Sequence, residues 1–376
     1  MACQIQVYNS SRRVHRSLWG VFILTEEVME TTTAFAYEEF VVCDKMDIQL
    51  FGKVFLPALY ALVFIVGLVG NLLVILTIMK GGRKKNITDI FLLNLAISDL
   101  LFVISLPFWG SYIVSGWTLG NLPCKIVASF YSVGFFGGLF FITVISIDRY
   151  LAIVRATFFM KARTVSHGFL TSLLVWSLAI LFAAPQFVFV RKLEGTCAPQ
   201  YPEALEKIWP YFSNIETNVI GFLLPMCIMS ICYLRIIKTL LSCKNNRKKR
   251  AIRLILLVVI IFFIFWTPYH VSIFLHILRL CEFFEDCSTL RFLDYTMQVT
   301  EALAFSHCCL NPIIYAFAGE KFRKYISHLV LKCLSFICFC GPCSQYRGTS
   351  SITIPEPPMS SIRTQNTSEQ DGSVLL

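Results

Sequence analysis

Long stretches without ionisable side chains constrain this chain more than any other feature. Residues 54–79 include no Asp, Glu, Lys or Arg in 26 positions. The hydrocarbon core of a bilayer is about 30 Å thick, and about 20 apolar helical residues cross it. Six further stretches are similarly apolar, at 90–115, 126–154, 168–190, 209–240, 251–278 and 293–317. Because barrel strands are shorter and alternate in polarity, the sequence predicts an all-α membrane protein, a seven-helix transmembrane bundle.

Basic residues predict the orientation of this bundle, because short cytosolic loops are enriched in Lys and Arg. The loops that follow the first, third and fifth stretches are the richer set, with five basic residues between 244 and 250 alone. We therefore predict an extracellular N-terminus and a cytosolic C-terminus. The basic loops either set topology alone or also offer a surface to an acidic protein partner.

The composition supports a membrane domain with two polar ends. Charged residues make up 15% of the chain, whereas a soluble domain has about 25%, which argues against an ordinary soluble enzyme. We divide the chain into an extracellular segment at 1–50, the seven-helix domain at 51–319, a short amphipathic eighth helix with a cysteine cluster at 320–343, and a disordered Ser/Thr-rich cytosolic tail at 344–376. Residues 1–28 are interpreted as an extended start, with Met29 as the alternative start.

Cysteines fall into an outer and a cytosolic group. The outer group consists of Cys43, Cys124, Cys197 and Cys287, which can form disulfides in an oxidising compartment. Sequence alone permits three pairings, of which 43–287 with 124–197 would tie the N-terminus and the outer loops to the bundle. Cys281 is a fifth outer cysteine. The cytosolic group, for which lipidation is favoured over a zinc site, consists of Cys333, Cys338, Cys340 and Cys343.

Three Asn-X-Ser/Thr sequons occur, and the predicted topology separates them. Asn9 lies on the outer side and is the expected glycosylation site. Asn86 and Asn366 lie on the cytosolic side and are expected to be unmodified.

Polar side chains inside the spans are costly in lipid and are therefore candidates for function. The pattern consists of Asn71, Asp99, Asp148-Arg149-Tyr150, Trp176, Pro225, Tyr233, Trp266, Pro268, Asn311-Pro312 and Tyr315. In this order the residues resemble the rhodopsin-like G-protein-coupled receptors, over all seven spans from about residue 51 to 322. Residues 148–154 (DRYLAIV), 105–109 (SLPFW) and 306–312 (SHCCLNP) are similar to the chemokine receptors, with Ser105 where Thr is usual.

Four stretches are most similar to the CX3C branch of the chemokine receptors, at 140–154, 183–189, 209–218 and 221–225. This resemblance implies a tethered CX3C chemokine, fractalkine, as the ligand, with a CC chemokine as the alternative. It also implies a G protein of the inhibitory class and arrestin as partners, beside membrane lipids. Nothing in the sequence indicates nucleic-acid binding, since the basic run at 247–250 lies between two spans.

Ligand contacts are expected at the outer end of the bundle. With a helical rise of about 1.5 Å per residue, Glu301 lies roughly 15 Å outward of Asn311. Tyr60, Trp109 and Tyr131 lie at similar levels in the first three spans. Together with Glu301 they are predicted to line a cavity in which the carboxylate binds an amine or basic group, or else neutralises a neighbouring cation. Tyr37, followed by two Glu residues, is predicted to be sulfated and to attract a basic chemokine surface.

Signalling residues are expected at mid-membrane and at the cytosolic end. Asp148 is predicted to hold Arg149 until activation frees it to contact a G protein, helped by Tyr150, Tyr233 and Tyr315. Trp266 and Pro268 mark a kink in the sixth span, and Asn311-Pro312 marks the seventh. A sodium pocket at Asp99 and Asn311 is implied by the resemblance. Gly138, however, occupies the place of its usual polar residue in the third span.

Two other functions compete with a signalling receptor. A non-signalling scavenger receptor of the same family would share the fold, but the intact DRYLAIV and NPIIY motifs argue for signalling. A transporter or membrane enzyme would need an internal repeat, broken helix pairs or a metal-ligand set, and the sequence contains no such repeat, HExxH motif or glycine-rich phosphate loop. We therefore expect a receptor without enzymatic activity or bound metal, apart from sodium near Asp99.

Overall fold

The computed structural model describes residues 43, 46–80, 86–155, 164–241, 246–281, 283–284, 286–318 and 327. The side chains of 240, 246–259 and 314–318 lie outside this description. Residues 1–315 form one compact unit and 316–376 another, and the bundle belongs to the first. Apart from residue 327, the predicted eighth helix lies outside the described residues, as do the cysteine group at 333–343 and the tail.

The predicted spans are present as helices. The first to fourth spans are Met46–Lys80, Ile87–Ser115, Asn121–Val154 and Val165–Phe189. The fifth span joins Trp209–Asn218 to Leu224–Leu241 through the π-helical segment Val219–Leu223. The sixth span is Asn246–Leu280, and the seventh joins Cys287–Phe305 to His307–Ala318.

Length and composition qualify six of the described helices to cross a membrane. The seventh span is divided by a turn at Ser306 into two shorter helices, whereas the sequence predicted one continuous helix. The first helix also begins eight residues earlier than the predicted start at 54. Its extra turns include the exposed residues Asp47 and Lys53, because a helix can continue into water beyond the apolar stretch that crosses the lipid.

A short hairpin connects the fourth and fifth spans. Strand β1 (Val190–Leu193) pairs antiparallel with β2 (Thr196–Pro199). The turn places Glu194 at φ 44° and Gly195 at φ 76°, a left-handed pair whose twist matches that of hairpin strands. The backbone N–H of Trp117 donates to the carbonyl of Gly195 at 2.7 Å, which holds the hairpin against the loop after the second span.

The third span lies at the centre of the bundle and contacts the second, fourth and fifth spans. Gly134 permits a close approach of the two backbones, because a Cβ atom there would lie 2.6 Å from the backbone nitrogen of Phe102. The Ser98 hydroxyl donates to the Gly134 carbonyl at 2.9 Å across the same contact. Close backbone approach with interhelical hydrogen bonds is how helices pack in lipid.

Candidate ligand and signalling sites

The predicted ligand residues come together around an aromatic side chain that the sequence reasoning did not select. Phe305 is fully buried, and its ring centroid lies 5.7 Å from that of Tyr60 and 5.6 Å from that of Tyr131. Trp109 lies 6.5 Å from Tyr131 in an edge-on arrangement. Residues of the first, second, third and seventh spans therefore form one aromatic cluster at the predicted outer end. Phe305 is one of 34 Phe residues in the chain, and no local pattern distinguished it.

Polar groups of Glu301, Tyr60 and Trp109 lie at this cluster. Glu301 is fully buried and interacts electrostatically with the phenol of Tyr60. Among the described residues, the Tyr60 hydroxyl and the Trp109 indole nitrogen have no hydrogen-bond partner. An unpaired buried polar group costs about 1–3 kcal/mol, so these two groups are suited to pair with a polar ligand atom.

Two disulfides fix the outer ends of the helices. Cys43 is bonded to Cys287, with a Cα–Cα distance of 5.4 Å, and Cys124 to Cys197, at 5.7 Å. Of the three pairings that the sequence permitted, the structure has the one that ties the N-terminal segment to the seventh span and the hairpin to the third. Cys281 is a free, exposed thiol.

Ion pairs add to this outer frame. The guanidinium of Arg279 at the end of the sixth span lies 2.6 Å from Asp294 of the seventh. Arg291 lies 2.9 Å from Asp47 and so links the seventh span to the first. Beside them Asp286 caps the seventh span, and hydrogen bonds from Ser288 and Thr289 lower its pKa to about 2.

A buried polar pair lies at mid-membrane. The amide of Asn311 donates to the Asp99 carboxylate at 2.8 Å, and Asn71 donates to the Cys308 carbonyl at 3.1 Å. A Cβ atom at Gly138 would lie 3.7 Å from the Asp99 oxygen, so the third span approaches Asp99 but offers no side-chain oxygen at this position.

Trp266 is fully buried at the level of the break in the seventh span. Its ring centroid lies 4.7 Å from that of His307 and 5.2 Å from that of Phe135. His307, Cys308 and Cys309 are consecutive side chains of types that bind metals, but each has its own backbone contact, with the carbonyls of Ala304, Phe305 and Val63. No group of three potential metal ligands occurs in the described part of the chain.

The predicted cytosolic end is held by hydrogen bonds between spans. The Thr88 hydroxyl donates to the Asp148 carboxylate at 3.1 Å, and both residues are buried. The hydroxyls of Ser146 and Tyr233 are 3.5 Å apart, and Arg149 interacts electrostatically with Tyr233. No role was predicted for Thr88 from the sequence, in which it stands out only as the threonine of the Asn86 sequon.

The Asn86 sequon has a structural use in this fold. The Asn86 side chain accepts from the Asp89 backbone at 2.8 Å and Asp89 caps Asn86 in return, a capping box that begins the second span. Both the asparagine and the threonine of the sequon are therefore engaged. Tyr37, Asn9 and the cysteines at 333–343 lie outside the described residues, as does the Tyr315 side chain.

Comparison with known sequences identifies the family to which this fold belongs. A model of the family described as "7 transmembrane receptor (rhodopsin family)" matches residues 70–315. CX3C chemokine receptor 1 of Rattus norvegicus is 53% identical over 89% of this chain and 94% of its own length. The chain belongs to the chemokine receptors of the rhodopsin family. CX3C chemokine receptor 1 of Homo sapiens is 52% identical, over 92% of this chain and 98% of that protein.

As a chemokine receptor, the chain is a multi-pass protein of the plasma membrane and belongs to a class of receptors rather than enzymes. C-C chemokine receptor type 4 of Homo sapiens is also similar, with 46% identity over 88% of this chain and 91% of that protein. The resemblance drawn from the DRYLAIV and helix-seven motifs is thus confirmed, and so is the seven-transmembrane fold.

Proposed function

We propose that this chemokine receptor binds a CX3C chemokine, fractalkine, at its outer face and activates heterotrimeric G proteins of the inhibitory class. The outcome would be leukocyte chemotaxis, adhesion and calcium signalling. Support for the ligand class comes from relatives named CX3C chemokine receptor 1, which are 52–54% identical. The relative named as a C-C chemokine receptor is 46% identical, so a CC chemokine is the second candidate.

The observation that carries the proposal is the buried carboxylate of Glu301 beside an aromatic cluster from four spans. A chemokine N-terminus would bring an amine and backbone donors into this cluster. Glu301 would bind the positive group, and Tyr60 and Trp109 would pair with polar atoms of the bound segment. Sulfation of Tyr37 would add a negative charge near the entrance, which raises the rate of encounter with a basic ligand.

Activation would redistribute two receptor states, because a ligand shifts an equilibrium only by its differential affinity for them. Trp266 and Pro268 would rearrange at mid-membrane, and Arg149 with Tyr150, Tyr233 and Tyr315 would form the surface for the G protein. Phosphorylation of the Ser/Thr-rich tail would recruit arrestin. Lipidation of the 333–343 cysteines would hold the segment at the bilayer, with the N-terminus outside, Asn9 glycosylated and the C-terminus in the cytosol.

The proposal includes sodium binding near Asp99, with only a weak effect on the receptor. Asp99 and Asn311 would hold the ion, but Gly138 supplies no ligand and the Ser98 hydroxyl is donated to Gly134. We therefore expect sodium to alter chemokine binding only slightly, and Gly138→Ser to increase that effect by restoring a polar group close to Asp99.

The experiment that tests the function measures inhibition of cyclic AMP in cells expressing the full chain, with a chemokine panel that includes fractalkine. Arg149→Ala should abolish the response while surface expression and chemokine binding persist. Arg155→Ala, an exposed arginine at the end of the same span, is the matched control and should respond normally.

Three results would separate the candidates. A response to fractalkine that is lost in Arg149→Ala supports the proposal. A response to another chemokine alone corrects the ligand class. Binding and uptake without any cyclic AMP response would replace signalling by scavenging.

A further inference from the structure

The fifth span contains a local irregularity that faces the sixth span near Pro268. Val219–Leu223 forms a π-helical segment between two α-helices, and such segments frequently accompany functional sites. A π-helical turn holds one more residue than an α-helical turn. Conversion between the two would therefore rotate the side chains on one side of the segment relative to the other.

His270 contacts this segment in two different ways. Its ring stacks on Phe222, with centroids 4.3 Å apart and planes at 10°. Its Nδ1 atom lies 3.1 Å from Oδ1 of Asn218, the residue that precedes the segment. Because an amide oxygen can only accept, this contact is a hydrogen bond in the imidazole tautomer that carries its proton on Nδ1. His270 therefore contacts both the start and the interior of the π-helical segment.

The same histidine also contacts the centre of the sixth span. The ring centroids of His270 and Trp266 are 5.7 Å apart, and both side chains are almost completely buried. Trp266 has a second neighbour, Phe135, against which a Cβ atom at Gly221 of the π-helical segment would lie at 3.1 Å. Close packing leaves little room for one of these groups to move alone.

We propose that His270 is a positioning residue that couples the π-helical segment of the fifth span to Trp266. A ligand-induced change in the fifth span would then move Trp266 and the sixth span together. An imidazole suits this role because it stacks as a flat ring and donates a hydrogen bond at once, which neither Phe nor Asn does. The inference rests on the proposed chemokine signalling and adds a coupling residue to it.

The test compares variants that separate the two contacts. His270→Phe retains a stacking ring and loses the donor, His270→Asn retains a donor and loses the ring, and Asn218→Ala removes the acceptor. His276→Phe is the matched control, because it alters another buried histidine of the same span. All are compared at equal surface expression for fractalkine affinity and for potency in cyclic AMP inhibition.

A coupling role predicts loss of potency without loss of affinity. We expect His270→Phe, His270→Asn and Asn218→Ala each to lower potency by about fivefold or more, the range of ordinary allosteric coupling. His270→Phe combined with Asn218→Ala should be no worse than either alone, because both remove one hydrogen bond. Unchanged potency, additive losses, or losses of affinity that match the losses of potency would overturn the proposal.

A second measurement separates this inference from the proposed function. The purified full-length receptor is labelled with fluorotryptophan, and the fluorine signal of Trp266 is assigned by its absence in Trp266→Phe. Without any ligand, that signal should shift in His270→Phe and Asn218→Ala but not in His276→Phe. An unshifted signal would overturn the coupling even if fractalkine activates the receptor, and a shifted signal would support it even if another chemokine is the agonist.

Discussion

The two ends of the bundle are held together by different kinds of interaction. At the predicted outer end, two disulfides and the Arg279–Asp294 ion pair join the spans. At the predicted cytosolic end, the interspan links among the described residues include the hydrogen bonds Thr88–Asp148 and Ser146–Tyr233. A disulfide contributes about 2–5 kcal/mol and a single hydrogen bond about 1 kcal/mol. Among the described residues, the links that join spans at the ligand end are therefore individually stronger than those at the cytosolic end.

The largest expected effect is loss of the Cys124–Cys197 disulfide, which closes a sequence separation of 73 residues. We expect Cys124→Ala combined with Cys197→Ala to lower the free energy of unfolding by about 2–5 kcal/mol. Chemokine binding should fall strongly, because the hairpin would keep only its noncovalent contacts such as Trp117–Gly195. Thermal unfolding of the purified receptor measures the change.

The control for this variant is Cys227→Ala, which removes a free, exposed cysteine. Its melting temperature should match that of the unaltered receptor. If the disulfide variant kept the same melting temperature as well, the outer end would not owe its rigidity to this bond.

The next effect is expected for the Arg279–Asp294 pair. The exposed fractions of the two side chains are 17% and 9%, so removal of Arg279 takes an ion-pair partner away from a largely buried carboxylate. Arg279→Ala should lower the free energy of unfolding by about 2–3 kcal/mol, the range for a lost hydrogen bond to a charged group. Arg279→Ala with Asp294→Ala should recover part of the loss, and a double variant no better than the single would contradict a buried-charge penalty.

A smaller effect on stability, with a visible effect on signalling, is expected at the cytosolic end. Thr88→Val keeps the side-chain shape and removes the donor to Asp148, at a cost of about 1 kcal/mol. Because this bond restrains Asp148 beside Arg149, ligand-free inhibition of cyclic AMP should rise. Thr88→Ser keeps the hydroxyl and should behave normally, and equal ligand-free signalling in Thr88→Val would show that the bond does not restrain the resting state.

Much of the fold follows from the sequence because lipid imposes a simple rule. Long apolar stretches predicted the spans, and the ordered motif residues from Asn71 to Tyr315 predicted the family. The turn at Ser306 and the π-helical segment Val219–Leu223 were not predicted, since apolar composition is the same for regular and irregular helical backbone. Both lie beside tertiary contacts with the sixth span, Trp266–His307 and His270–Phe222, that no local pattern reveals.

The candidate site was predicted in outline for a similar reason. Helical rise placed Tyr60, Trp109, Tyr131 and Glu301 at one level, and the structure brings them together. Phe305 and His270 were not predicted. Phe305 is an ordinary aromatic residue in a chain with 34 Phe. His270 was recognisable as a titratable side chain within a span, but its partner Asn218 lies 52 residues away in the sequence.

The smallest expected effect concerns the Arg291–Asp47 pair, which has the same chemistry and nearly the same distance as Arg279–Asp294. Here 40% and 72% of the side-chain surfaces are exposed, so water already solvates both charges and stabilisation is at most about 1 kcal/mol. Arg291→Ala should change the melting temperature far less than Arg279→Ala, and added salt should remove the remaining difference because exposed pairs are screened. Equal losses in the two variants would mean that burial does not set the strength of the ion pairs in the outer frame.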